Sequence, residues 1–239
     1  KLFFLKKQPN AIPYRTTYYK QDWGICLSYN QYKKLKDKSY NVFIKTDLKN
    51  GFLRYGELYI KGKSKKEIIF NTNICHPSLA NNETSGIVLL TFLGEYLSKI
   101  STNYSYRIIF VPETIGALTY IKKNLKNLRE KLLFGFNCVC VGDSKNFSIL
   151  KSKFLNSNSE FFAFKTLKKM KVKYKVFSWL ERGSDERQYS SPNLDFDFSS
   201  LMRSKYAQYP EYHTSLDKLG SVVTEKGLKD SLKMYKILI

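Results

Sequence analysis

Apolar and polar positions along the chain change period repeatedly, and each change marks a predicted element. "SYNVFIKTDLKNGFLRYGELYIKG", residues 39–62, alternates apolar and polar residues on both sides of the turn "LKNG". That pattern predicts a β-hairpin. The basic turn "KGKSKKE" then leads into "IIFNTNI" (68–74), a continuous apolar run that predicts a strand central in a sheet. From Thr84, "TSGIVLLTFLGEYLSKI" has helical spacing, with Ile87, Leu90, Leu93 and Leu97 on its apolar side. The same alternation continues with a strand "YSYRIIFVPE" (104–113), a helix "TIGALTYIKKNLKNLREK" (114–131) and a strand "LLFGFNCVCVGD" (132–143). After it come a helix (158–171), strands "YKVFSW" (174–179) and "LDFDFSSLM" (194–202), and a terminal helix (224–239). The opening residues 8–35 are turn-rich and aromatic and predict a segment draped over the domain. Strands alternating with helices predict an α/β fold whose central sheet is mostly parallel and covered on both faces.

Length and composition narrow this reading. At 239 residues the chain suits one large α/β domain or two small ones. Hydrophobic content of 43% and aromatic content of 15% supply a core and exclude wholesale disorder. No apolar run approaches the roughly 20 residues of a membrane span. The chain starts at Lys1 without a methionine, which points to a fragment of a longer protein, and no signal peptide is visible in it. The formal charge of +21 raises the question of nucleic acid, but the lysines are scattered through "KKLKDK", "GKSKKE" and "LKKMKVKYK" and no RNA-binding signature accompanies them. A solvated lysine-rich surface with no specific nucleic-acid partner is therefore expected. The four cysteines form no CxxC pair and no disulfide framework, so a reducing cytoplasm is expected. Cys138 and Cys140 alternate within one predicted strand and should face the same side.

The candidate chemistry lies at the ends of the predicted strands. The chain has only two histidines, His76 in "NTNICHPSLANNETSG" and His213 in "YPEYHTSLD". His76, Glu113 and Asp143 each fall at or just past the C-terminal end of an apolar strand, the edge where open α/β sheets bind ligands. Singly, each has a plainer role: a strand cap for His76, a turn or N-cap for Asp143, a first-turn helix residue for Glu113. Together they fit a zinc site made of imidazole nitrogens and a carboxylate, with a second carboxylate close enough to deprotonate a bound water.

At these residues the sequence also resembles a family. "ANNETSG" resembles the A-[DN]-D-x-x-S-G segment of the zinc aminopeptidases related to aminopeptidase Y, glutamate carboxypeptidase and glutaminyl cyclase. "PETIG" resembles their E-E-x-G, "VGD" their strand-end aspartate, "GSDERQY" their S-D-H-x-x-F and "HTSLD" their H-T-x-x-D, all in the family's order. The wording is most similar to a bacterial aminopeptidase-like branch with an inserted small domain. The resemblance implies a three-layer α/β sandwich over residues 1–29 and 67–239, with a mixed, mostly parallel sheet and a small β-rich insert at 30–66. It implies metal ligation by His76, Asp143 and His213, a general base at Glu113, and Asn82 at the position of the metal-bridging aspartate. Thr114 stands where a second glutamate ligates metal, Ser78 where an aspartate supports the first histidine, and Glu186 where the family has a histidine. Glu83, beside Asn82, offers the missing carboxylate. A neutral amide is a poor bridge between two dications, so one Zn²⁺ is favoured over two.

The expected activity is zinc-dependent, aminopeptidase-like hydrolysis of a small peptide or amino-acid amide. Glu113, Asp185 and Glu186 are candidate partners for a substrate amine. Arg203 and Tyr206, from "MRSKYAQY", are expected to face the pocket, since guanidinium suits carboxylate or phosphate recognition. Two alternatives are an N-acyl amino-sugar amidohydrolase of surface-polysaccharide metabolism, which the resembled branch implies, and a non-catalytic binding scaffold.

Overall fold

The computed structural model describes residues 1–17, 21–36, 38–47 and 49–239. Among them, strands β1 (Leu2–Phe3) and β2 (Ile25–Cys26) pair in parallel near the start, followed by a short helix α1 (Tyr29–Tyr32). The rest is strand–helix alternation: β3 (Gly56–Ile60), β4 (Glu67–Asn73), α2 (Ser85–Ser98), β5 (Ser105–Val111), α3 (Ile115–Lys131) and β6 (Leu132–Asn137). It continues through β7 (Ser148–Leu150), α4 (Asn158–Met170), β8 (Lys175–Phe177), α5 (Glu186–Tyr189), β9 (Phe198–Met202) and α6 (Glu225–Leu238). The main sheet has seven strands in the order β3-β5-β4-β6-β9-β7-β8. β5, β4, β6 and β9 run parallel, while β3 and β7 are antiparallel to their partners β5 and β9. This is the mixed, helix-flanked α/β sheet that the sequence pattern predicts.

The central strand shows why the sheet needs two helical layers. All seven residues of β4 are buried, because side chains alternate across a strand and both faces are covered. Ile68 and Phe70 join the cluster formed with α2, α4 and α6, including Leu90, Leu93, Leu167 and Tyr235. Ile69 points the other way, into the cluster with Ala117, Tyr120 and Leu128 of α3.

Two expectations change. The hairpin across 39–62 is realised only in its second arm, and that arm is β3, an edge strand of the main sheet. The first residue of its expected turn, Leu48, lies outside the described residues, as do residues 18–20 of the opening segment and Asp37. Residues 38–47 and 49–55 carry no strand and are exposed, with Phe43 and Phe52 at 90% and 91% exposure. An alternating pattern forms a stable ribbon only where one face has a layer to bury against. The strand expected to reach Asp143 ends at Asn137. Cys140 then takes a positive φ of 53°. Cys138 therefore packs in the main core and Cys140 in a separate cluster with Met202, Tyr206 and Tyr209, not on one common face.

The parallel strands deliver their C-terminal ends to a single edge. One further bond, from the Ile74 N–H to the Val111 carbonyl at 3.0 Å, carries the β4–β5 pairing past the strand ends. His76 and Glu113 are thereby brought side by side.

Candidate active site

Two unusual backbone turns aim the functional side chains. Between β4 and α2, residues Ala80–Thr84 form a π-helical turn, a rare form that is frequent at functional sites. Asp217 holds this turn, its carboxylate accepting the Asn81 N–H at 2.7 Å and the Asn82 N–H at 3.0 Å. The turn directs Glu83 back toward β4, where one of its oxygens accepts the N–H of Cys75 and, at 2.9 Å, that of His76. After β5, Thr114 has φ 64° and ψ −73°, and the Ile115 N–H bonds the Glu113 carbonyl at 2.8 Å. That is a γ-turn with positive φ, strained for a β-branched residue. Ser78 (φ 63°) and His213 (φ 54°) share the left-handed region. Such conformations persist where the surrounding structure over-determines them.

The side chains converge. His76 Nδ1 lies 3.2 Å from Glu83 Oε2 and 3.2 Å from Cys75 Sγ. On the ring's far side, Nε2 is 3.6 Å from Glu113 Oε2. The rings of His76 and His213 are 5.2 Å apart, with Tyr14 5.3 Å from the first and 5.4 Å from the second. Asn82 reaches Glu83 Oε2 through its amide nitrogen at 3.3 Å. Its amide oxygen and His213 Nε2 are buried without a hydrogen-bond partner among the described residues. Tyr14, Cys75, His76, Glu113 and His213 border a cavity of about 570 Å³, with Glu83 and Asn82 behind that lining. Glu113, with its side chain 24% exposed, is the carboxylate that opens onto it.

The electrostatics assign each group a state. Burial disfavours a charged His76, but its contacts with Cys75 and Glu83 overcome that and raise it to about 11. Glu83 thus draws positive charge to this spot, which an imidazolium or a divalent cation can supply, while burial pushes the Cys75 thiol up. Burial, reinforced by the His76 charge, pushes His213 down to about 4, so its ring is neutral at pH 7 with a lone pair to offer. Burial also raises Glu113, opposed by the Ser184 hydroxyl that donates to Oε1 at 2.8 Å.

Cys75, His76 and Glu83 each present a ligand atom within 4.8 Å of the others. Their chemistry, thiol, imidazole and carboxylate, is that of zinc sites. The two 3.2 Å separations approach the spacing of about 3.3–3.6 Å that ligands on bonds of 2.0–2.3 Å subtend around a tetrahedral ion. By donor chemistry and spacing these three residues fit one ion.

Several residues expected in the site lie beneath it. Asp143 is 1% exposed, and its oxygens accept from Asn81 Nδ2, the Lys145 N–H, and the N–H and hydroxyl of Ser204. It fastens the loop after β6 and stands outside the clustered donors. Asp185 is fully buried, bonding the Thr114 N–H at 2.8 Å and Asn71 Nδ2 at 3.1 Å. Glu186, also fully buried, accepts from five donors: Gly183 N–H, Ser184 N–H, Tyr206 hydroxyl, Asn137 Nδ2 and Ser200 hydroxyl. Tyr206 is thus spent on Glu186. Arg203 is 2% exposed, its guanidinium 3.6 Å above the Phe147 ring. It does not border the cavity; Arg187 and Arg15 do. Sequence reasoning missed Cys75, Ser184, Asp217 and Arg15. Cys75 was legible as the neighbour of His76, and Asp217 as the last residue of "HTSLD"; nothing local marks Ser184 or Arg15.

Comparison with known proteins places this geometry. The chain is 42% identical over 229 residues to a Clostridium acetobutylicum protein described as a polysaccharide biosynthesis protein with an aminopeptidase-like domain, covering 95% of this chain and 51% of that one. A crystal structure described as a peptidase from Clostridium acetobutylicum superposes with a TM-score of 0.95 at 39% identity, over 99% of this chain and 56% of the other. The chain therefore spans about half the length of these relatives. The zinc aminopeptidase BSAP from Bacillus subtilis (TM-score 0.64, 14% identity, 77% of this chain and 48% of that one) shares the fold. So does a glutaminyl cyclase from an Acidobacteriales bacterium (TM-score 0.62, 16% identity, 78% and 72%). The model of the family described as domain of unknown function DUF4910 matches residues 9–239, and the chain belongs to that family.

Proposed function

We propose that the protein is a zinc-dependent amide hydrolase with Glu113 as its general base. The observation that carries this reading is the convergence of Cys75, His76 and Glu83 beside a cavity onto which Glu113 opens. Cys75, His76 and Glu83 would hold a single ion at the Nδ1 side of the imidazole, with Glu113 facing the ring's Nε2 side. A bound zinc supplies Lewis acidity, polarising the scissile carbonyl and lowering the pKa of a water. Glu113 takes a proton from the attacking water as its oxygen bonds to the carbonyl carbon. It then gives that proton to the amine as the carbon–nitrogen bond breaks. Ser184 holds Glu113 Oε1 and leaves Oε2 facing the His76 ring. The peptidase and zinc aminopeptidase descriptions of similar structures support hydrolase chemistry. The Clostridium relative's polysaccharide description supports an N-acyl amino sugar as the second substrate reading.

The test compares chelator-treated and zinc-reloaded protein on panels of aminoacyl amides, N-acyl amino acids and N-acetyl amino sugars. Hydrolysis restored by about one equivalent of zinc is expected. A protein that binds no zinc, or cleaves none of these when loaded, contradicts the reading.

A further inference from the structure

Of the acids expected to greet a substrate amine, Asp185 and Glu186 are already occupied. Asp185 and Glu186 are fully buried and their oxygens are filled by protein donors. Glu83 is turned onto the Cys75 and His76 backbone. Glu113 is the carboxylate lining the cavity, and the proposed reaction commits it to proton transfer. A substrate ammonium group has no free acidic partner among the residues described around this cavity.

An anion has two. Arg15, from the N-terminal segment, and Arg187, from α5, border the same cavity as Glu113 and both histidines, and both are exposed. Neither makes an ion pair with a carboxylate among the described residues. Arg15 lies 5.4 Å from the centre of the Phe3 ring. Arg187 spends one nitrogen on the Thr114 hydroxyl at 3.3 Å and another on Gln188 at 3.4 Å. A guanidinium has five N–H donors, so both retain donors for a bidentate oxyanion. Thr114 is the residue next to Glu113, so an anion on Arg187 lies within one side chain of the reacting amide.

We propose that Arg15 and Arg187 bind a carboxylate or phosphate group of the substrate, and that recognition requires no free α-amino group. The reactive step and the exclusion of Glu113 as an amine partner rest on the hydrolase reading above; the anion binding by the two arginines does not. The two sources of the anion, an N-acyl amino acid and an N-acyl sugar phosphate, share this chemistry.

The test is titration calorimetry on the zinc-loaded chain. The anionic probes are N-acetyl-L-glutamate and N-acetylglucosamine 1-phosphate. The uncharged probe is N-acetylglucosamine, and L-leucinamide represents a free amine. At least one anionic probe should bind tenfold or more tightly than both others, weakening as salt rises. Arg15→Gln and Arg187→Gln should each lose at least tenfold for that probe, at unchanged zinc content and melting temperature. Which probe wins assigns carboxylate or phosphate. Tightest binding of L-leucinamide, or anion binding that both variants leave intact, overturns the proposal. Arginine-dependent anion binding without cleavage upholds it and refutes the hydrolase reading instead.

Discussion

Glutamine at Glu186 keeps the side chain's shape and removes its charge, so the outcome can be worked from the five donors around it. If the new amide nitrogen takes the place of Oε1, it meets the N–H groups of Gly183 and Ser184, both at 2.9 Å, which cannot turn away. If it takes the place of Oε2, it meets the Ser200 hydroxyl at 3.0 Å, which can rotate, and Asn137 Nδ2 at 3.1 Å. Asn137 cannot flip freely, because its oxygen accepts Asn71 Nδ2 at 3.1 Å. The better arrangement still sets one buried donor against another, which costs about 1–3 kcal/mol. The remaining bonds also lose their charge assistance, so the total is about 2–4 kcal/mol. For a chain of this size that lowers the melting temperature by roughly 4–16 °C. Urea and thermal unfolding of parent and Glu186→Gln measure it directly. A variant within about 0.5 kcal/mol of the parent, the usual range for an inconsequential surface change, refutes the assignment of Glu186 to the foundation of the site.

Other expectations follow from the same contacts. Cobalt bound in place of zinc should show sulfur-to-metal charge-transfer absorption in the parent and lose it in Cys75→Ser, and an identical spectrum removes Cys75 from the ligand set. Arg203→Met, which trades a buried guanidinium with no carboxylate partner among the described residues for a side chain of similar length, should fall no more than about 1 kcal/mol below the parent in stability, since buried charges often gain nothing over apolar packing. Its zinc content should be unchanged, and lost zinc would place Arg203 in the site after all. Burial pushes Asp185 up to about 8 from the usual 3.8, so between these values the folded state holds a proton that the unfolded state releases. Stability should fall as pH rises through that window, and Asp185→Asn should flatten the fall; an unchanged slope in urea titrations contradicts it.

What the sequence reveals and what it conceals divide along physical lines. Periodicity exposes β4, α2, β5 and α3 because each buries a long, regular apolar surface, and it brings His76 and Glu113 to one edge because parallel strands must end together. The first arm of the 39–62 ribbon fails because alternation alone cannot say whether a layer exists to cover Phe43. Motif resemblance singles out "VGD" and "GSDERQY" as site segments. It cannot foresee that Asn81 and Ser204 occupy Asp143, or that Tyr206 is turned inward onto Glu186. Those outcomes depend on hydrogen bonds between residues as far as 62 positions apart. Arg15 is the extreme case, an exposed residue of an irregular segment whose role depends entirely on where that segment lies.

The most direct measurement is the amide-hydrolysis rate of zinc-loaded parent and Glu113→Gln, with bound zinc quantified on the same samples. The proposed reaction predicts equal zinc in both and a rate lower in the variant by at least about 10²-fold, the smallest contribution usual for a positioned general base. Equal rates at equal zinc content would contradict it.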